Sequence, residues 1–228
     1  MEERLVEFQM LQKLFKDNGF DLYLVGGTVR DYLLQIPLND MDAVTDATPQ
    51  EMKVFLPDAN YSFERFGSVT VKTEKKVKFD ITTLRSEKSY SDSRHPLEIE
   101  FIKDLSIDCL RRDFTVNALY LDSSFEVIDY VGGVKDLKDK VLRMVGNPFI
   151  RLKEDPLRIL RAFRFCADYG FRIEDELSKA IKANIHELDK LNKEKVVMDM
   201  KKIKPSSKPI LLSYFEEYNI KHLKDVLE

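Results

Sequence analysis

Apolar residues recur at helical spacing from the start of the chain. Leu5, Phe8, Leu11, Leu14 and Phe15 share one face, and Gly19 supplies a stop. DLYLVGG then predicts a buried strand ending in a glycine turn, and TVRDYLLQ a helix that starts on that turn. DMDAVT predicts a second strand. TPQEMKVFL predicts a helix with Thr48 as N-cap and Glu51 completing a capping box. SVTVKT and VKFDITTL read as two strands joined by a charged turn, and LEIEFI and FEVIDYVGG as later ones.

Residues 86–96, SEKSYSDSRHP, are polar and turn-rich and predict a mobile loop. From about residue 135 the strand signals end. EDPLRILRAFRFCADYG, EDELSKAIKANIHEL, NKEKVVMDMKKI and ILLSYFEEYNIKHLKDVL predict helices, with KIKPSSKP as a break before the last. No internal repeat is present. The expected fold class is α+β: a mixed-sheet part over 1–139, followed by an all-helical part.

Composition narrows the setting. The 228 residues are 43% hydrophobic and 34% charged, an ordinary globular mixture. No apolar run approaches the ~18 residues of a membrane span. The acidic, amphipathic N-terminus lacks a signal-peptide layout, so a cytoplasmic protein is expected. Cys109 and Cys166 cannot form a disulfide framework and read as packing residues. His95, His186 and His222 are scattered and do not suggest a metal site. Charge is uneven: residues 1–140 hold 19 Lys+Arg against 26 Asp+Glu (net −7), and 141–228 hold 18 against 14 (net +4). Metal carboxylates beside an anion-binding surface would give this division, as would a plain unevenness of surface charge.

The candidate chemistry begins at GGTVRD and NDMDAVTD. Gly26 and Gly27, between strand and helix, let backbone N–H groups approach an anion, and Arg30 can add a charge-assisted contact to phosphate. A glycine pair can equally be only a turn. Asp40 and Asp42, at i and i+2 of a strand, would share a face. Carboxylates held side by side repel unless a cation sits between them, and oxygen-rich sites of this kind suit Mg²⁺. A solvated acidic loop is the competing reading.

Asp80 could add a third carboxylate from a neighbouring strand, with Phe79 and Ile81 turned to the opposite face. In EDPLRILRAFRF, Asp155, Arg158, Arg161 and Arg164 step round a helix by about 60° each. They would face away from Ile159, Leu160, Phe163 and Cys166. Arginine at this spacing points to recognition of planar or phosphate groups. An acid beside an arginine also matches the amino donor and ring-nitrogen acceptor of cytosine and adenine, and mismatches uracil and guanine.

In this order, GGTVRD, DMD, RRDFTVNAL and EDPLRILRAFRF resemble the motifs of the class II CCA-adding enzymes and bacterial poly(A) polymerases, over residues 20 to 200. The resemblance implies a polymerase-β-like nucleotidyltransferase head over 1–139, a helical neck over 140–204 and the start of a helical body over 205–228. It implies template-independent addition of C and A from CTP and ATP to tRNA 3′ ends with Mg²⁺ as cofactor. Gly26, Gly27 and Arg30 would hold the triphosphate, and Asp40 and Asp42 the metal. Arg111, Arg112 and Asp113 would contact phosphate and ribose. Asp155 and Arg158 would form the protein template for C and A, with Arg161 and Arg164 extending the nucleotide pocket.

SYSDSRHP is similar to the flexible loop tied to the switch from C to A. Close relatives of this activity add only A, only C or a poly(A) tail, and an inactive RNA-binding homologue is a further alternative. The chain departs from the family at Asp80, where Glu is usual, and at Asn192, Glu194 and Lys195, where the neck motif usually reads S-x-E-R. It also ends soon after the neck, where full-length members continue through body and tail domains. KKIKPSSK reads as a solvated linker. The oligomeric state is left open.

Overall fold

A computed structural model describes residues 2–90, 96–220 and 223. The chain divides into two compact units, one formed by residues 1–89 and 96–134 and the other containing residues 135–228.

The first unit opens with α1 (Glu2–Asp17), β1 (Leu22–Val25), α2 (Gly27–Leu33), β2 (Met41–Thr45) and α3 (Pro49–Phe55). The strands β3 (Asn60–Phe63), β4 (Ser68–Lys72) and β5 (Lys78–Thr83) follow. Next come β6 (Arg85–Tyr90), β7 (Pro96–Phe101), α4 (Leu105–Asp108), β8 (Leu119–Leu121) and β9 (Val127–Asp129), with α5 (Gly133–Lys138) at the junction. Seven strands form one mixed sheet in the order β3-β4-β5-β2-β1-β8-β9. All pairings recorded within it are antiparallel except β2 with β5, which run parallel.

Period-two alternation explains which face is covered. Phe79 and Ile81 of β5 and Met41 and Ala43 of β2 are buried against Phe8 and Phe15 of α1 and Met52 of α3. Asp42, Val44 and Asp80 take the other face of the sheet. The expected capping box of α3 is present: the Thr48 hydroxyl accepts from the Glu51 N–H at 3.3 Å, and the Glu51 carboxylate accepts from the Thr48 N–H at 2.7 Å.

The second unit contains β10 (Val141–Leu142), α6 (Pro148–Glu154), α7 (Leu157–Tyr169), β11 (Arg172–Ile173), α8 (Asp175–Asn184), α9 (Lys193–Met200) and α10 (Lys208–Glu217). Its central helix, α7, is buried on nearly every side, from Leu157 through Ala167, and ends at Gly170 in the left-handed region (φ 67°). Phe163 lies 5.2 Å from Tyr214 and 4.8 Å from Tyr218, ring centre to ring centre. Burial pushes the Cys166 thiol up to about 12, and Cys109 is buried as well, as packing residues would be. Among the described residues no helix is long and apolar enough to cross a membrane.

Four expectations need correction. Residues 85–90 form a strand where the sequence predicts a loop over 86–96, and it pairs with Pro96–Phe101, the strand predicted at LEIEFI. In RSEKSY the charged and hydroxylic side chains carry no apolar period, so the pairing of this strand leaves no trace in the sequence. Residues 91–95, the centre of SYSDSRHP, lie outside the described residues, as do His95 and His222. The helical part is not all-helical: β10 and β11 pair in parallel through two residues each, too few to leave a pattern. The last helix stops at Glu217, where Asn219 turns left-handed (φ 57°) and the Ile220 N–H returns to the Phe215 carbonyl. Finally, Asp155 is not on the helix with the arginines. It is the extended residue between α6 and α7 (φ −145°, ψ 94°), because Asn147 and Pro148 start a separate helix that ends at Glu154.

Candidate active site

Strand register builds the site. Asp42 and Asp80 are direct partners across the parallel β2–β5 pair, so both carboxylates leave the same face in the same row. Asp40 lies in the bend just before β2 and is exposed, not within the strand as alternation suggested. Thr28, the third residue of GGT, ties these parts together. Its hydroxyl donates to the Asp40 carbonyl at 3.0 Å and accepts from the Asp42 N–H at 2.8 Å.

The glycine turn has two different requirements. Gly26 sits at φ 66°, ψ −129°, a conformation that L side chains rarely adopt. Gly27 is not left-handed. A Cβ there would meet the Arg30 guanidinium at 3.4 Å, and what its bareness leaves open is the approach over the start of α2.

A cleft of about 200 Å³ opens beside this row, lined among others by Gly26, Asp42, Asp80, Arg111 and Arg112. A larger cleft of about 550 Å³, at Asp21, Tyr23 and Asp46 near the other end of β1, touches none of these residues. The smaller one combines carboxylates, arginines and a glycine turn, and it is the candidate site.

Its electrostatics follow from crowding. Burial, Asp80 and Asp40 together raise the Asp42 carboxyl from 3.8 to about 6, with Arg112 and Lys78 opposing only in part. A carboxylate under such strain suits a cation supplied from outside. Among the described residues no three His, Cys, Asp or Glu are grouped closely enough to enclose a metal by themselves. A partial, oxygen-only set fits Mg²⁺, which keeps waters and shares substrate phosphates. Asp80 is already engaged: one oxygen accepts from Thr70 at 2.6 Å and the other from Lys78 at 2.7 Å.

Other residues singled out from the sequence hold the site rather than line the cleft. Arg30 is buried, donating to Asn117 Oδ1 at 2.6 Å and to Asp31 at 2.9 Å. The Asp113 carboxylate accepts from the Phe114 N–H at 2.7 Å and from the Asn117 amide at 3.2 Å. A chain thus runs from Arg30 through Asn117 to Asp113, linking α2 to the RRD segment.

The residue that sequence reasoning missed is Asp108. It is fully buried and accepts from Arg111, Arg112 and Tyr120. Its only advance signal was an acid four residues before an arginine. Burial alone would raise its pKa, but Arg112 and Arg111 outweigh that and hold it at about 2.

In the second unit, Asp155 accepts from the Leu157 N–H at 3.1 Å, capping α7. Arg158 and Arg164 do not form an open face: they are 6% and 7% exposed. Arg158 donates to the Arg151 carbonyl at 2.7 Å and lies 3.4 Å from Glu154. Arg161 and Arg164 lie 3.5 and 3.4 Å from the two oxygens of Asp199 on α9, a second partner that the sequence pattern did not reveal. Asn192 caps α9, accepting from the Glu194 N–H. His186 pairs with its neighbour Glu187 at 3.1 Å.

Comparison with known proteins places this geometry. The poly A polymerase head domain matches residues 22–143. The CCA-adding enzyme of Streptococcus uberis is 43% identical over 201 residues, which cover 86% of this chain and 49% of that enzyme. The crystal structure of the Bacillus stearothermophilus CCA-adding enzyme in complex with CTP superposes with a TM-score of 0.84 at 30% identity, covering 93% of this chain and 52% of that one. The Thermotoga maritima CCA-adding enzyme complexed with tRNA gives a TM-score of 0.76 at 27% identity, covering 97% of this chain and 52% of that one. The chain spans about half the length of the curated relatives it matches. With the matched head domain taking in the glycine turn, the paired aspartates and the RRD segment, the chain belongs to the poly A polymerase head-domain family.

Proposed function

We propose that the chain is a template-independent RNA nucleotidyltransferase that adds C and A from CTP and ATP to the 3′ end of tRNA, acting in the cytoplasm where these substrates are found. The observation that carries the reading is the row of Asp42 and Asp80 facing a cleft with Gly26, Arg111 and Arg112. Likeness to CCA-adding enzymes solved with CTP and with tRNA supports the choice of substrates.

In the reaction, the RNA 3′-oxygen forms a bond to the α-phosphorus. The bond from that phosphorus to the bridging oxygen of the β-phosphate breaks, pyrophosphate leaves with the bonding electron pair, and the hydroxyl proton passes to solvent water. Asp40 and Asp42 would hold Mg²⁺, which when bound lowers the pKa of the attacking hydroxyl and offsets charge on the triphosphate. Asp80, released from Lys78 and Thr70, would serve as the third carboxylate. Arg111 and Arg112 would take phosphate oxygens, and Gly26 and Gly27 would let the backbone approach the triphosphate. Arg30 would act through its hold on the glycine turn. Asp113 would meet the ribose from its place beside Asn117.

In the second unit, Asp155 and Arg158 would read the amino group and ring nitrogen of C or A, with Arg161 and Arg164 supporting them. Leaving those groups unpaired against U or G costs selectivity.

The test is an extension assay on tRNA ending before the first C, after one C and after two, with Mg²⁺ and labelled CTP, ATP, UTP or GTP. Ordered addition of C, C and A supports the reading. The match to a head domain named for poly(A) polymerases favours a second reading, addition of A alone, which product length would separate into single addition and tailing. Absence of any C or A incorporation by a chain that also fails to bind CTP and ATP would overturn both.

A further inference from the structure

We propose that Asp108 is a positioning residue that presets Arg111 and Arg112 as a rigid pair for the triphosphate. The inference rests on the nucleotidyl-transfer reading of the same cleft.

Arg111 and Arg112 line the cleft and Asp108 does not, so whatever it contributes passes through them. Its side chain is 0% exposed, and five donors converge on its two oxygens. Oδ1 accepts from Arg111 Nε at 2.8 Å and from the Arg85 N–H at 3.2 Å. Oδ2 accepts from Arg112 Nε at 3.1 Å and Nη2 at 2.8 Å, and from the Tyr120 hydroxyl at 2.8 Å. A carboxylate offers about four lone-pair sites, so this one is saturated by the protein itself and has no acceptor capacity left for substrate.

The arrangement fixes the edge of each guanidinium that faces the interior. Arg112 gives Asp108 both Nε and Nη2, which immobilises its plane, and it lies over the Tyr120 ring at 5.3 Å. Arg111 is held a second time by Glu87, 3.6 Å from its Nη1, and Glu87 is itself gripped by Arg85 through Nε and Nη2. Two adjacent guanidinium groups repel, and a long, rotatable arginine loses side-chain freedom when it binds an anion. One buried carboxylate between them removes both costs before the ligand arrives.

The experiment measures inorganic tripolyphosphate by calorimetry without divalent cation, and in parallel CTP, with cytidine by ligand-observed NMR. Asp108→Asn keeps the shape and removes the charge. The expected result is about a tenfold or greater loss of tripolyphosphate and CTP affinity with cytidine binding unchanged, since a charge-assisted hold on two arginines is lost. Tyr120→Phe removes only one of the five donors and should move the same ratio by about two- to threefold. Arg112→Ala should lose much less in the Asp108→Asn background than in the wild type, the mark of two residues acting as one.

A folded Asp108→Asn protein that binds tripolyphosphate like the wild type overturns the proposal, as does an equal loss for cytidine. If Asp108→Asn does not fold, a Tyr120→Phe protein with an unchanged CTP-to-cytidine ratio overturns it. Should the wild type bind neither tripolyphosphate nor CTP, with Mg²⁺ as well as without it, and incorporate neither C nor A, the nucleotidyl-transfer reading falls as well. Binding of both with unaffected variants removes only the role of Asp108.

Discussion

Thr28 holds Asp42 through the backbone: its hydroxyl accepts from the Asp42 N–H at 2.8 Å while donating to the Asp40 carbonyl at 3.0 Å. The turn that would meet the phosphates, the bend that carries Asp40 and the start of the strand that carries Asp42 are therefore set by one buried oxygen. Thr28→Val keeps the volume and strands two backbone groups, which costs about 1–3 kcal/mol. Turnover should fall by about tenfold or more through misplacement of the carboxylates, and Thr28→Ser should restore most of it. Thermal melts and single-turnover extension assays on both variants check this.

Gly26 and Gly27 should fail in different ways. Gly26→Ala has room, with the nearest atoms at 3.7 and 3.8 Å, but φ 66° makes any side chain strained. A stability loss of about 1–3 kcal/mol is expected in denaturant melts. Gly27→Ala fits an ordinary backbone and should melt near the wild-type temperature. Its methyl group stands where the backbone would meet the phosphates, so CTP affinity should drop instead.

Asp42→Asn relieves the crowding that raises the carboxyl to about 6. The variant should melt about 2–4 °C above the wild type in chelator, as expected for about 1 kcal/mol in a chain of this length. Mg²⁺ should raise the melting temperature of the wild type and leave the variant unmoved, because only a ligand bound to the folded state stabilises it. Nucleotidyl transfer should be lost.

Asp108 predicts the acid limb of stability. Its carboxyl goes from the usual 3.8 to about 2 in the folded protein, so the unfolded chain takes up the proton first as pH falls. The stabilisation is complete above pH 4 and is lost as pH drops through 2, amounting to about 2 kcal/mol. Urea melts between pH 2 and 5 should show a steep fall in the wild type. An Asp108→Asn protein, less stable at neutral pH, should show a flatter one.

Asp155 has two jobs that separate by substitution. It caps α7 through the Leu157 N–H, and it is the acid proposed to read the base. Asp155→Ala should lose about 1 kcal/mol of stability and relax the choice among the four nucleotides. Asp155→Asn keeps a capping oxygen, so it should melt like the wild type yet still misincorporate. A variant that retains full discrimination would remove Asp155 from base reading.

Local patterns carried what local physics determines. The Thr48 capping box, the turn at Gly26 and the alternation around Asp80 were all readable, because each is specified by residues within a few positions. Residues 85–90 misled for the opposite reason: a paired backbone with polar side chains looks like a loop, whereas the alternation in LEIEF marked its partner strand. The arginines of α7 read as an exposed row because a helix wheel does not contain the acids of other elements. Asp199, on α9, is one such acid. Asp108 and Asn117 were invisible in the same sense, since each matters only for what the fold carries to it.

The parallel pairing of β2 with β5 also governs how the protein can be made. As the chain emerges from a ribosome, β1 and β2 appear first, while the partner that covers the far edge of β2 is not synthesised until residue 83 is out. Until then that edge presents unpaired N–H and C=O groups next to apolar Ala43 and Val44, a template for association between nascent chains. The Asp42–Asp80 row cannot exist before the same moment, so the covering of this edge and the appearance of the carboxylate row are one event. Fragments ending before β5 should be insoluble as well as inactive, and the steps that protect this edge from aggregation during synthesis have to act before residue 83 is out.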